Sequence, residues 1–219
     1  MKNVYGLIIS VLYISLVIGI SRLFTKAGKE ASRKFIHIML ANWWIIAMVF
    51  FDNVYVSSIL PAIFVVVNYL SYKYDIIKEM ERDDEPKNKQ TLGTVYYAIT
   101  LLILSILSFG VWKRPVIGLV GVAVMGYGDG FAAVAGQGIK SKEFNIFGST
   151  KSIAGSLTML IVSVIIISGA LAYFEVSYWF IKSILLAVIS TVLEACSPKG
   201  TDNLTVPIAV TLLTYLFVM

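Results

Sequence analysis

Eight apolar runs, each close to the ~20 residues that an α-helix needs to cross a bilayer, constrain this chain more than any other feature. They lie at 3–24, 35–51, 54–72, 93–109, 115–137, 153–174, 177–195 and 203–218. A backbone in hydrocarbon must satisfy its own polar groups, so the runs fold as helices or as a closed barrel. The apolar residues are continuous rather than alternating, which excludes the barrel. Composition agrees: 58% of the 219 residues are hydrophobic and 14% charged, with mean hydropathy +0.84. The expected fold is all-α, a polytopic integral membrane protein of about eight transmembrane helices forming one transmembrane domain over 1–219. The first run follows Lys2, exceeds a signal-peptide core and ends without a small-residue cleavage site, so a retained span is expected. Runs two and three are separated only by Asp52 and Asn53, which reads as a tight helical hairpin.

Charge orients the spans. The connections after runs one, three, five and seven hold 14 of the 18 basic residues: Arg22, Lys26, Lys29, Arg33, Lys34; Lys73, Lys78, Arg82, Lys87, Lys89; Lys140, Lys142, Lys151; and Lys199. The other face keeps Lys2, Lys113, Arg114 and Lys182. The positive-inside rule puts the rich connections in the cytoplasm and both termini outside, as in a multi-pass protein of the cell (plasma or inner) membrane. Net charge +5 suits anionic lipid headgroups, and no nucleic-acid partner is expected. Every polar cluster of interest falls on the cytoplasmic side, where nucleotides are.

The fifth run carries Asp129 within Gly126-Tyr127-Gly128-Asp129-Gly130. A carboxylate at membrane depth costs roughly 2.5–3.5 kcal/mol on insertion scales, so it needs a cation, a basic partner or water. On a regular helix Asp129 lies roughly 12 Å below the edge marked by Gln137. Two readings stand, contact with a metal or substrate and structural ion pairing. Gly126 and Gly130 stand in a G-x-x-x-G spacing, which most often means close helix packing. The following basic loop offers Lys140, Lys142 and Asn145, then Gly148-Ser149-Thr150-Lys151-Ser152. Ser149 or Thr150 is the expected N-cap of the sixth span, with Lys151 and Gly155 on one helix face and Ser152 and Ser156 on another. Hydroxyls and a lysine at a helix N-terminus are the ingredients of a phosphate site, although no Walker A loop is present.

The seventh run ends at Glu194, and Asp202 and Asn203 open the eighth. Asp202 reads equally as an N-cap. Glu194 at a helix C-terminus opposes the macrodipole, so a purely structural role is less natural. Asp129, Glu194 and Asp202 on one face resemble a hard-cation site, and Mg²⁺ typically takes one or two carboxylates plus phosphate oxygens. His37, one turn after Arg33 and Lys34, reads first as a packing residue and second as a base. Trp43 and Trp44 sit two turns inside their run, so either the boundary shifts or they pack between helices. The polar stretch 73–90 is a solvated loop or a lid, and hydroxyls in 90–94 (QTLGT) can cap the fourth span. Lone Cys196 and lone His37 exclude an internal disulfide and argue against thiolate or imidazole metal clusters.

These motifs together resemble the dolichol kinase, phytol kinase and CTP-dependent diacylglycerol kinase family, itself similar to phosphatidate cytidylyltransferases. They are R-K-x-x-H (Arg33, Lys34, His37), L-G-T from Leu92, G-D-G-x-A-x-x-x-G from Gly128, K-S-x-x-G-S from Lys151, and E-x-x-x-x-x-G-x-D-N-L-x-x-P from Glu194 to Pro207. The resemblance implies a CTP-using, Mg²⁺-dependent membrane enzyme acting on a lipid. It implies that Asp129 binds metal or positions the reacting oxygen, and that Lys140 and Lys151 hold phosphates. Ser152, Gly128, Gly130 and Gly155 would shape the nucleotide pocket; Glu194, Asp202 and Asn203 would complete the metal and nucleotide shell. Arg33 and Lys34 are further phosphate-binding candidates, although topology and anionic lipid explain them as well.

The expected activity is phosphorylation of a lipid alcohol of the polyprenol, phytol or diacylglycerol type, with Asp129 or Glu194 as proton acceptor. A cytidylyltransferase making CDP-diacylglycerol needs the same polyanion over the same metal and stands as the alternative. An ion-coupled transporter using Asp129 and Glu194 is the reading from another class, opposed by polar groups that gather on one face. A non-catalytic scaffold would not require intramembrane carboxylates.

Overall fold

Helices in lipid associate through small residues that let backbones approach and through interhelical hydrogen bonds, because the hydrophobic effect no longer separates helix from solvent. The computed structural model, which describes residues 1–24, 28–74, 92–198 and 200–219 (the backbone alone at 29 and 30), shows both devices throughout. Expectations placed on 75–91, on Lys26 and Lys199 and on the Lys29 side chain lie outside the described residues. Among the described residues seven helices are long and apolar enough to cross a membrane. The eighth run forms a helix of 17 residues, Asp202–Val218, at the short end of what can span. The protein is thus all-α and polytopic, with one small addition described below. Chain contacts divide it into two compact units, Met1–Val116 and Ile117–Met219.

The first unit holds α1 (Lys2–Phe24), α2 (Lys29–Ala41), α3 (Trp43–Phe50), α4 (Val54–Tyr74) and α5 (Gly93–Ser105), which continues as a π-helical turn, Ile106–Val111. The second apolar run therefore starts a turn and a half earlier than its hydropathy indicates, and α2 hands over to α3 at Asn42. The boundary shift does not explain Trp43 and Trp44, which are 2% and 0% exposed and pack between helices. The Trp44 indole N–H donates to the Pro115 carbonyl at 2.9 Å. Tyr13 donates to the Met39 carbonyl at 2.7 Å and Ser32 to the Ser21 carbonyl at 2.9 Å, tying α2 to α1. The hairpin at Asp52 and Asn53 forms as read: Asn53 accepts from the Val56 N–H at 3.1 Å, and Asp52 accepts from Asn3 at 2.8 Å. The amides of Asn3 and Asn53 hold the Asp52 carboxyl below its ordinary value. Leu92 is the N-cap of α5 and makes no side-chain cap bond, while Thr91, one of the hydroxyls expected to cap this span, lies outside the described residues.

The second unit begins at Ile117, inside α6 (Pro115–Ala123), and continues with a π-helical segment Val124–Asp129, α7 (Gly130–Gly138), strands β1 (Glu143–Ile146) and β2 (Ser149–Ser152), then α8 (Ile153–Tyr173), α9 (Trp179–Cys196) and α10 (Asp202–Val218). Its core gathers Val120, Val124, Met159, Ile167, Leu171, Leu186 and Val210. Gly121 lets α10 approach closely: a Cβ there would stand 2.4 Å from the Pro207 carbonyl oxygen and 2.0 Å from the Thr211 hydroxyl. Backbone cannot yield as a side chain can. Gly121→Ala is expected to lower stability by about 1–3 kcal/mol. Gly19→Ala, where nothing lies within 4 Å, leaves it nearly unchanged. Unfolding of both variants in mixed detergent micelles measures the difference.

Candidate active site

Asp129 is the last residue of the π-helical segment and is half-buried. π turns within α-helices are frequent at functional sites, since the extra residue re-aims side chains at a cost in hydrogen bonding. This segment corrects the expectation of a regular helix beneath Asp129.

Lys151 reaches the same place from a different element. The basic loop expected between the fifth and sixth spans is an antiparallel hairpin, with Ile146 opposite Ser149 and Phe144 opposite Lys151. Its two-residue turn, Phe147-Gly148, has φ of +49° and +79°. Positive φ at both positions is what a type I′ connection demands. Lys151 and Ser152 are therefore strand residues, which corrects their placement on helix faces. Ser152 rather than Ser149 or Thr150 is the N-cap of α8, its hydroxyl accepting from the Gly155 N–H at 3.1 Å. Ser141, unremarked in the sequence, accepts from the Ala154 N–H at 3.1 Å. Ser152→Ala is expected to cost about 1 kcal/mol of stability through the lost cap, read as a lower unfolding temperature.

The carboxylates of Asp129, Glu194 and Asp202 each present an oxygen within 4.8 Å of the others. Glu194, two residues from the end of α9, is 4% exposed. Asp202, the first residue of α10, also accepts from the Asn203 N–H at 3.0 Å. The Lys151 ammonium donates to Glu194 Oε1 and, at 3.4 Å, to Asp202 Oδ2. Burial alone would lower the Lys151 pKa, but the facing charges of Glu194, Asp202 and Asp129 outweigh it and raise the pKa above its ordinary 10.5. A raised lysine stabilises the fold fully below pH 10.5, and that contribution is lost only as pH rises through the higher folded value. Lys151 accordingly carries its charge at physiological pH.

The other candidate residues fall in several places. Gly128 faces Met159, its ideal Cβ position 2.8 Å from the thioether sulfur, and Gly155 abuts the Ala132 carbonyl at 2.9 Å. Both glycines thus serve the packing of α8 on the helix that carries Asp129. Gly130, buried, opens α7. Asn203 is buried beside Asp202, while Lys140 is exposed after α7. Arg33 and Lys34 belong to α2 in the first unit, Lys34 being 8% exposed. His37 packs edge-on against Tyr97 with ring centroids 4.7 Å apart, and its carbonyl accepts from the Tyr97 hydroxyl at 3.1 Å, which matches the packing reading.

Fold and site define a polytopic α-helical membrane protein whose second unit gathers three carboxylates around one lysine. Compared with known proteins, the chain is 30% identical over 198 residues to the phytol kinase of Synechocystis sp., covering 85% of this chain and 78% of that protein. It is 30% identical over 208 residues to the probable phytol kinase 1, chloroplastic, of Oryza sativa subsp. japonica, covering 86% of this chain and 64% of that one. Identity to phytol kinase 1, chloroplastic, of Arabidopsis thaliana is 27% over 208 residues, covering 86% and 66%. The chain spans about two thirds of the length of these plant relatives. No family model matches it, and no solved structure matches it. The chain belongs to the phytol kinase family, part of the broader group its motifs resemble.

Proposed function

We propose that this protein transfers the γ-phosphoryl group of CTP to the hydroxyl of a membrane lipid alcohol, in the presence of Mg²⁺. The observation that carries the reading is the trio of Asp129, Glu194 and Asp202, the last two bridged by Lys151, on a chain similar to proteins named as phytol kinases. Carboxylate oxygens are the donors a hard cation prefers. Three carboxylates against one ammonium leave two formal negative charges, matching a divalent ion. Asp129, Glu194 and Asp202 would hold it, and when bound it would neutralise the triphosphate oxygens.

Phosphoryl transfer asks a protein mainly for positioning and charge neutralisation. The lipid oxygen bonds to the γ-phosphorus as the bond from that phosphorus to the β–γ bridging oxygen breaks. CDP leaves, and the hydroxyl proton passes to Asp129 or Glu194. Lys151 exchanges one of its carboxylate contacts for a phosphate oxygen as the nucleotide enters, which brings a positive charge to the phosphates without moving the backbone. Asn203 and the N-terminus of α10 lie beside Asp202 to complete the nucleotide shell, and Lys140 is an outlying cation on the approach. The clustering of basic connections on one side supports a cytoplasmic site in the cell membrane.

The test supplies purified protein with Mg²⁺, phytol or another long-chain alcohol, and CTP labelled at either the α- or the γ-phosphate. Label from the γ position is expected in the lipid and label from the α position is not. A parallel arm supplies phosphatidate, whose phosphate oxygen can attack the α-phosphorus with loss of pyrophosphate; α-label in that lipid without γ-label in the alcohol would establish a cytidylyltransferase. Replacing CTP by ATP, GTP or UTP is expected to reduce transfer, and equal rates with all four would remove CTP from the proposal.

A further inference from the structure

The hairpin between α7 and α8 turns on a residue that its own geometry disfavours. A two-residue type I′ turn holds both central positions at positive φ, which Asn, Asp and Gly accept and a bulky side chain resists. Phe147 nevertheless takes the first of them, at φ +49°, and is 75% exposed. An exposed phenyl ring on a strained backbone does nothing for the hairpin itself, so the side chain serves something beyond it.

The way the hairpin is fastened sets where its tip lies. It joins the end of one span, Pro115–Gly138, to the start of the next, Ile153–Tyr173. Both of its ends are tied to the first turn of α8. The Ile153 N–H donates to the Lys142 carbonyl at 3.0 Å, while the Ala154 and Gly155 N–H groups donate to Ser141 and Ser152, each at 3.1 Å. One face of the sheet, Phe144 and Ile146 with Lys151 and Ser149 opposite them, is half-buried out to the last pair. Glu143, Asn145 and Thr150, on the other face, are exposed. From the covered face Lys151 reaches Glu194 and Asp202, which stand at the ends of α9 and α10. The hairpin therefore lies along the helix ends instead of standing up into water, and its tip is at the level where the spans leave hydrocarbon. Ile139 and Ile153, 57% and 51% exposed, extend the apolar surface at its base. Lys140 and Lys142 are exposed beside it, against a single carboxylate, Glu143.

We propose that Phe147 seats this hairpin in the headgroup region of an anionic bilayer, with Lys140 and Lys142 facing lipid phosphates. An apolar aromatic tip flanked by lysines suits that boundary, because the ring reaches the upper acyl chains while the ammonium groups meet the headgroups. The membrane takes up the side chain that the turn alone would reject. Lys151 stands in the same hairpin, so the lipid surface also steadies the strand that carries it to the carboxylates. The seat does not rest on the kinase reading above.

Tryptophan fluorescence in bilayers tests the seat without nucleotide. Phe147→Trp and, on the exposed face, Thr150→Trp are each reconstituted into mixed phosphatidylcholine and phosphatidylglycerol vesicles, and the wild-type signal is subtracted. The emission added by Phe147→Trp is expected to be shifted to the blue, quenched by lipids brominated high on the acyl chain and sheltered from acrylamide. The emission added by Thr150→Trp is expected to behave oppositely on all three counts. Water-like emission and full acrylamide quenching from Phe147→Trp would overturn the proposal. Vesicles of phosphatidylcholine alone are expected to shelter the tip less, and equal shelter in both would overturn the part assigned to Lys140 and Lys142. Wild-type protein, which needs no substitution to fold, is photolabelled in parallel with a phospholipid bearing a diazirine near its glycerol backbone. Adducts are expected on the peptide that holds Phe147 as well as on exposed α8 residues such as Leu157. Adducts on α8 with none on 139–150 would overturn the seat.

Discussion

Asp129→Asn is expected to reduce γ-phosphate transfer from CTP to lipid about a thousandfold or more, the scale of losing a preorganised charged group at a reacting centre. The substitution keeps size and shape and removes one negative charge from the trio with Glu194 and Asp202. Its fold should survive, because a neutral amide at this depth is less costly than a carboxylate. Transfer assays and unfolding in detergent, run on the same preparation, check both halves. Wild-type turnover in this variant would remove Asp129 from the metal and catalytic assignments together.

Lys151→Met is expected to damage the fold as well as the chemistry. It strands buried Glu194 beside Asp129 and Asp202 without the ammonium that bridges two of them. Breaking a buried ion pair by removing one partner typically costs about 3–5 kcal/mol. The double variant Lys151→Met/Glu194→Gln should regain much of that loss, since the orphaned charge is gone. Added Mg²⁺ should raise the unfolding temperature of the single variant more than that of wild type, because the ion then takes up charge that the lysine otherwise balances. Equal stability of single variant and wild type would show that the lysine contributes nothing to the cluster.

Much of this architecture is legible in the amino-acid sequence, for identifiable reasons. Continuous apolar runs have one physical solution in lipid, so hydropathy finds the helices and errs only at their ends, placing 35 for Lys29 and 177 for Trp179. Carboxylates in apolar surroundings announce themselves, which is why Asp129, Glu194 and Asp202 group together although 73 residues separate the first from the last. The hairpin is not legible: its strands have four residues each, and Phe147-Gly148 lacks the Asn-Gly or Asp-Gly signature of its turn. Lys151 therefore reads as a helix residue when a strand delivers it. The π-helical segment is equally silent, since Gly126, Gly128 and Gly130 suit a regular helix just as well. The division at Val116 has no linker or change of composition to mark it, so a reading of one domain over 1–219 has nothing to divide.

The π-helical segment has a bearing on how the span from Pro115 to Gly138 divides its labour. One extra residue in a helix advances every later side chain by about 100° around the axis. Gly121, before the segment, meets α10, whereas Gly128 and Gly136, within and after it, meet α8 and its cap. The two halves of a single rod are thus out of phase, and Asp129 stands where the phase changes. Deleting one residue from Val124–Gly128 would bring the halves into a common phase. It would force a choice between seating α10, seating α8 and aiming the carboxylate, three tasks that a regular helix of this length cannot perform at once.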